Sequence, residues 1–245
     1  AGCLVHQIDG LVGQVQVGQI PPGHPDGLLH GLLGQPQAVV PLQPRAEGPE
    51  DLQGLIRIAQ DLVQMPAEVR DLCSHPKMLI LGAGAAYGAA KRWSSESYNA
   101  VAADWISKGG IVVAVGGPSE KPIGEEIGQG LDPRKYYNMM GKTDLFALMH
   151  LLKSAAAAVA NDSGVMHLTA ALGTPGVAVF GSTDHTSTGP ISSSWKLVCT
   201  DQPCSPCFCR TCPKKDPKCM KRIEPQTVIR ALEMLRIKGV PGEEK

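Results

Sequence analysis

Residues 161–181, NDSGVMHLTAALGTPGVAVFG, decide the fold. An apolar run at 155–160 leads into four polar or flexible residues, Asn161-Asp162-Ser163-Gly164. A helical pattern covers 165–172, breaks at Gly173-Thr174-Pro175, and yields to a buried-strand run at 177–180. Strand, polar turn, helix, Gly/Pro break and strand make a βαβ unit. Its first turn sets free backbone N–H groups and one carboxylate at a helix N-terminus, where an anion is accommodated.

Working outward, the chain from Pro76 onward repeats this grammar. A strand at 78–81 ends in Gly82-Ala83-Gly84-Ala85-Ala86-Tyr87-Gly88, and a helix at 95–108 carries Tyr98, Val101, Ala102, Trp105 and Ile106 at helical spacing. Gly109-Gly110 stops it, and a second buried strand at 111–115 ends in Gly116-Gly117-Pro118. The pattern further predicts a helix at 120–130 and a short strand at 138–140. A helix at 143–153 is expected to be capped by Thr143, with Leu145, Leu148, Met149 and Leu152 inward. A last amphipathic helix at 225–235 turns Val228, Ala231, Leu232 and Leu235 inward. Strands alternating with helices define an α/β class, a doubly wound parallel sheet of Rossmann-like type. Ligands of such sheets bind beyond the carboxyl ends of the strands, where 82–91, 116–120, 161–167 and 181–190 converge on one edge.

Length and composition bound the rest. The 245 residues carry no formal net charge, so no global basic field points to nucleic acid. No apolar run approaches a bilayer-spanning length, no secretory signal pattern is visible, and the start at Ala1 suggests a fragment or trimmed start. Residues 1–73 contain no Ser, Thr, Asn, Lys, Phe, Tyr or Trp, types that all appear afterwards. Within them 12–20 alternates like a strand, 21–44 reads as loop, and 49–65 reads as a helix. Residues 1–75 are therefore taken as an atypical segment, either an authentic, partly disordered region or a wrong reading frame joined to a genuine domain. The domain itself is expected over 76–238, followed by a flexible tail at 239–245.

Each candidate site residue has a plainer alternative. Gly82-x-Gly84 suggests a dinucleotide loop, but the third glycine is late at Gly88 and Gly116-Gly117 replaces the ribose-binding acid, so an NAD-type oxidoreductase is the weaker match. Lys91 beyond that loop suits a diphosphate, while Arg92 reads as solvated. Asp162 and Ser163 would serve as helix caps, yet His167 lies one turn on and shares their face. With the N–H groups around Gly164 and the loop Gly181-Ser182-Thr183-Asp184, they favour a ligand site. Six of the eight cysteines fall between Cys199 and Cys219, and Cys204, Cys207, Cys212 and Cys219 are spaced to hold zinc. Lys214, Lys215, Lys218, Lys221 and Arg222 among them make a zinc-binding nucleic-acid module the other rival, and reduced thiols the plain alternative.

Together the motifs resemble glycosyltransferase family 9, and within it the ADP-heptose:lipopolysaccharide heptosyltransferases of type II. The resemblance rests on Asn161 through Leu168 and Ala170 through Pro175, joined by Gly84-Ala85-Ala86-Tyr87-Gly88, Lys91-Arg92-Trp93, Val115-Gly116-Gly117-Pro118, Gly141-Lys142-Thr143, Phe180 through Asp184 and Thr188-Gly189-Pro190. The tail from Cys204-x2-Cys207 to Cys219-Met220 is also similar, with Cys209 extra. The resemblance implies a GT-B architecture, of which this is the C-terminal, donor-binding half, and inverting transfer of heptose from ADP-heptose to the lipopolysaccharide inner core. It implies Lys91 on the donor phosphates, Asp162 on sugar hydroxyls, Ser163 and Gly164 on the diphosphate, His167 behind them, and Glu120 and Thr143 near the nucleoside. No cofactor, no catalytic metal and no nucleic-acid partner are implied. The expected location is the cytoplasm, at the inner face of the inner membrane. The family's catalytic base is an Asp following a Gly in a longer N-terminal domain; Asp9-Gly10 reverses that order, so the base is unassigned and the chain is expected to be inactive alone.

Overall fold

Strands buried on both faces have no polar side to show, and the sequence supplies such runs in Val, Ile, Leu and Ala. The computed structural model describes residues 65–235. Strands β1 (Met78–Gly82), β2 (Ile111–Ala114), β4 (Ala157–Asn161) and β5 (Gly176–Phe180) are buried throughout. The edges are β3 (Tyr136–Asn138) and β6 (Trp195–Cys199). The order is β3-β2-β1-β4-β5-β6 with every pairing parallel, the doubly wound sheet expected from sequence.

The helices are α1 (Ala67–Cys73), α2 (Ser95–Ser107), α3 (Lys121–Ile127), α4 (Leu145–Ser154), α5 (Gly164–Ala171), α6 (His185–Thr188), α7 (Lys218–Lys221) and α8 (Pro225–Glu233). Alternate strand residues face opposite ways. Leu79, Leu81, Val112 and Val159 pack with Tyr98 and Val101 of α2 and Val228 and Leu232 of α8. Met78, Ile80, Val113 and Ala158 pack with Val69 of α1, Leu151 of α4 and Met166 of α5. Helices thus cover both faces. The polar ends of the strands are left clear at the carboxyl edge, and the topological switch point lies between β1 and β4.

Several elements differ from the sequence reading. The third strand is 136–138 rather than 138–140, because β-forming Tyr136 and Tyr137 pair beside β2 while the Met140 N–H turns back to Asn138 Oδ1 (3.2 Å). Asp144, not Thr143, caps α4: its Oδ1 accepts from the Ala147 N–H at 2.8 Å. The buried residues of α4 are Ala147, Leu151 and Leu152, while Leu145 and Phe146 in its first turn are 60% and 62% exposed. Asp144→Ala is expected to lower stability by about 1 kcal/mol in urea unfolding, and Thr143→Ala by less than about 0.5 kcal/mol. Strand β6 lay hidden behind Ser192-Ser193-Ser194 and the polar Lys196, although Trp195, Leu197 and Val198 are buried. Helix α1 lies upstream of residue 76 and buries Val69 and Leu72, so the packed domain begins before the composition boundary at 75. The strand expected at 12–20 and the tail at 239–245 lie outside the described residues, as does nearly all of the helix expected at 49–65.

Candidate functional site

The crevice at the switch point is held by Asn161, the last residue of β4, which is fully buried. Its Oδ1 accepts from the Trp93 N–H (3.2 Å) and the Tyr98 hydroxyl (3.0 Å), and its Nδ2 donates to Ala83 O (2.7 Å). One side chain thereby ties the end of β4 to the glycine loop after β1. Trp93 is held from behind as well, its Nε1 donating to Ile223 O at 2.9 Å. Sequence reading took Asn161 as part of a turn. Its signal was being the one amide at the end of an alanine-rich central strand.

Asp162 follows and is also buried. Its Oδ2 accepts from Lys91 Nζ (2.7 Å), Thr183 Oγ1 (2.6 Å) and Thr188 Oγ1 (3.0 Å). The loops after β1, β4 and β5 therefore meet on one carboxylate oxygen. Lys91 also sits 4.8 Å from the centroid of the Tyr87 ring. Arg92, read from sequence as solvated, is half-buried, with its guanidinium on Ala85 O at 3.4 Å.

Ser163 occupies the N-cap position of α5 but makes no capping bond. Its hydroxyl is buried and has no partner. The first N–H groups of any helix lack intrahelical acceptors, so this end presents free donors and the positive end of the helix dipole. It opens on a cavity of about 410 Å³ whose lining includes Gly84, Glu120, Thr143, Ser163 and Gly164. Glu120 is buried and its Oε2 accepts from the Gly117 N–H at 2.9 Å. Gly84 makes room for it, since a Cβ there would lie 2.2 Å from the Glu120 carboxylate. Of the seven expected residues, Glu120, Thr143, Ser163 and Gly164 line one cavity, and Lys91 and Asp162 pair beside Ser163 in the chain. His167 does not join them: it is exposed on α5 and is not in the cavity lining. Asp162 belongs to the strand end and not to the helix, so the shared helical face reaches only from Ser163 to His167.

Sequence reading missed Asp144, Leu145 and Leu148 in the lining. Leu145, Leu148 and Leu152 share one helical face in the sequence, and only the structure shows that its first turn overhangs the cavity instead of the core. The lining offers free N–H donors at the helix end, a carboxylate at Glu120, and an apolar wall of Val115, Leu145, Leu148 and Val165. Residues 83–94, which include a single 3-10 turn at Ala89–Lys91, separate β1 from α2, so the glycine loop after β1 does not run directly into a helix as a dinucleotide fingerprint does.

The four spaced cysteines gather elsewhere. Cys204, Cys207, Cys212 and Cys219 all line one small cavity of about 40 Å³. Burial pushes the Cys219 thiol up, and the neighbouring Cys207, Cys204 and Cys212 add to the shift.

The family model of glycosyltransferase family 9 (heptosyltransferase) matches residues 49–217. The match takes in residues 49–75, which composition had set with the atypical segment. Lipooligosaccharide heptosyltransferase 2 of Campylobacter jejuni is 37% identical over 156 residues, 62% of this chain and 49% of that protein. Lipopolysaccharide heptosyltransferase 2 of Escherichia coli K12 is 31% identical over 164 residues, 60% of this chain and 47% of that protein. The solved structure of E. coli ADP-heptose LPS heptosyltransferase II superposes with a TM-score of 0.59 at 28% identity, covering 67% of this chain and 50% of that one. The chain spans about half the length of the curated relatives it matches. None of these relatives is an NAD-dependent oxidoreductase or a nucleic-acid-binding protein.

Proposed function

The chain belongs to glycosyltransferase family 9, and from that premise we propose that its described domain binds ADP-heptose for inverting transfer of heptose to the lipopolysaccharide inner core. The observation that carries the reading is the uncapped N-terminus of α5, which opens on the cavity beside the Lys91–Asp162 pair and leaves the buried Ser163 hydroxyl unpartnered. In such a transfer the acceptor oxygen bonds to the anomeric carbon as the bond from that carbon to the distal phosphate oxygen breaks. Negative charge then grows on the departing ADP. The N–H groups at Ser163 and Gly164 and the Lys91 ammonium are donors aimed at that charge, and no metal is needed for it. Lys91 spends one of its three N–H groups on Asp162, leaving others for phosphate. Asp162 uses only Oδ2 among the described residues, which leaves Oδ1 for a sugar hydroxyl. Glu120 and Thr143 suit the nucleoside, with Leu145 and Leu148 as an apolar wall for the base. His167, exposed and outside the cavity lining, is given no donor contact. Neither the residue that removes the acceptor proton nor the contacts to the acceptor are assigned to the described residues. A place in the cytoplasm at the inner face of the inner membrane follows from that acceptor. Among the described residues no helix is long and apolar enough to cross a membrane.

Calorimetric titration tests the donor assignment. The full chain is expected to bind ADP and ADP-heptose and to prefer both to NAD. Lys91→Gln, which keeps a donor near Asp162 but removes the charge, is expected to weaken ADP binding by about 10- to 150-fold, the worth of a charged hydrogen bond of about 1.5–3 kcal/mol. Unchanged affinity in that variant, or a preference for NAD, would remove the proposal.

A further inference from the structure

The cysteine-rich stretch is not absorbed by donor binding, yet its backbone is laid closely on the donor loops. Among the described residues no group of three or more His, Cys, Asp or Glu side chains is placed to hold a metal ion, so the zinc that the cysteine spacing allows does not fit. What the stretch brings to the site is a different residue, Arg210. The Cys207 and Phe208 N–H groups donate to Ser182 O in the loop after β5 (3.1 and 2.8 Å). On the other side the Tyr87 hydroxyl donates to Phe208 O (3.3 Å), and the Ala90 N–H donates to Arg210 O (3.0 Å). Gly88 permits that approach, because a Cβ there would lie 2.2 Å from Arg210 O. Position 210 is thereby pinned through its main chain to the loop that carries Lys91.

The Arg210 side chain continues the same junction. Its Cζ lies 4.8 Å from the centroid of the Tyr87 ring, and Lys91 Nζ lies 4.8 Å from that centroid as well. The two cations are therefore no farther apart than twice that distance. A ring face attracts each of them weakly, but it has no net charge with which to cancel their repulsion. Lys91 has Asp162 as a counter-ion, whereas Arg210 makes no ion pair among the described residues. A guanidinium stays charged at neutral pH and presents its donors in one plane, which suits phosphate oxygens. Ala86 lines the cavity of about 410 Å³, but Tyr87, Lys91 and Arg210 do not. The chain thus leaves that cavity between Ala86 and Tyr87, and both cations stand past its rim.

We infer that Arg210 is a second cation for the donor diphosphate, held beside Lys91 by the shared Tyr87 ring and directed at the phosphate farther from the nucleoside. On the ADP-heptose reading of the site, on which this rests, the nucleoside fills the cavity and the distal phosphate lies toward the two cations. Lys91, with its side chain 13% exposed, meets that phosphate from the protein side, and the exposed Arg210 meets it from the solvent side. As the bond to the anomeric carbon breaks, the charge growing on the departing diphosphate is shared between them. Tyr87 is a positioning residue, since it touches both cations and ties the strand-end loop to the cysteine-rich one.

Calorimetric titration of the full chain with ADP and with AMP tests the role of Arg210. Arg210→Gln is expected to weaken ADP binding by about 5-fold, as befits an exposed charge pair, and to leave AMP binding unchanged. Arg210→Lys, which keeps the charge, is expected to retain most of the ADP affinity. The deficit of Arg210→Gln should shrink toward none in about 0.5 M salt, where exposed charges are screened. Its unfolding midpoint should match that of the unsubstituted chain. Adding Tyr87→Leu to Arg210→Gln should cost less than the two single losses together, since the ring acts partly through the guanidinium. Equal weakening of ADP and AMP with a lowered midpoint would mark Arg210 as a structural staple and overturn the inference. Unchanged ADP affinity in Arg210→Gln, with Lys91→Gln still weakened, overturns it and leaves the donor assignment standing. Failure of the unsubstituted chain to bind ADP removes both.

Discussion

Asp162→Ala is expected to lower the stability of the domain by about 3–5 kcal/mol, the cost of leaving a buried charge without its partner. Lys91 and Asp162 have side chains only 13% and 5% exposed, so water cannot replace the lost carboxylate for the ammonium. The hydroxyls of Thr183 and Thr188 lose the same acceptor. A surface ion pair would behave differently: Lys121–Glu125, with both side chains about three-fifths exposed, should contribute well under about 1 kcal/mol. The double variant Asp162→Leu/Lys91→Met is expected to recover much of the loss, since two apolar groups replace two charges. Urea unfolding followed by tryptophan fluorescence reads this well, because Trp93 and Trp195 are each 2% exposed. Asp162→Ala within about 1 kcal/mol of the unsubstituted chain, or strictly additive single losses, would show that the pair is not buried in the way described.

On the proposed reading the same pair serves both fold and donor, so a loss of binding has two sources. Loss of ADP binding in Asp162→Ala reports collapse of a three-loop junction as readily as loss of a ligand contact. Lys91→Gln separates the two, because the amide still donates to Asp162 while the charge is gone. Lys91→Gln still lowers the unfolding midpoint, since it leaves the buried Asp162 carboxylate without its cation. A phosphate-binding role predicts weakened ADP binding under conditions where the variant is shown to be folded, and a purely structural role predicts unchanged affinity there.

Much of the fold was legible because strands buried on both faces and helices with one apolar stripe leave different periods in the sequence. β1, β2, β4 and β5 stand out as unbroken apolar runs ended by glycine or a polar residue, and their carboxyl ends were enough to locate the crevice. Elements that failed to show were those whose pattern is interrupted. Lys196 breaks the edge strand β6, α6 and α7 span a single turn, and α4 carries Leu145 and Phe146 ahead of its buried stripe. In the site, residues that act through backbone position were readable: Ser163 and Gly164 follow from where a strand meets a helix. Residues that act by joining distant loops were not. Nothing in the spacing says that Thr183 and Thr188 converge with Lys91 on one oxygen, since that depends on the order of strands in the sheet. The cysteine quartet was readable in spacing alone, but its seat against Ala90 and Ser182 required the fold.

The amide of Asn161 gives the other large expected effect. Asn161→Ala should cost about 4 kcal/mol, because the Trp93 N–H, the Tyr98 hydroxyl and the Ala83 carbonyl each lose a partner in a fully buried place. The Trp93 N–H and the Ala83 carbonyl cost about 1–3 kcal/mol each, while the Tyr98 hydroxyl retains Gly82 O at 3.4 Å as an acceptor. Tyr98→Phe removes one hydroxyl along with its bond and should cost only about 1 kcal/mol. Asn161→Asp is the sharper variant. It keeps an acceptor for Trp93 and Tyr98 but sets a carboxylate oxygen against the Ala83 carbonyl, which accepts and cannot donate. It should therefore destabilise nearly as much as alanine. Burial also pushes the Tyr98 phenol above its usual range. A raised folded value means that Tyr98 stays a donor at neutral pH, and its linkage to folding weakens stability only as pH rises past its unfolded value of about 10. The Asn161→Ala loss should consequently be equal at about pH 6 and about pH 8, both well below that value. If Asn161→Asp is as stable as the unsubstituted chain, the amide is not the clamp between β4 and the loop after β1, and the shape of the crevice needs another cause.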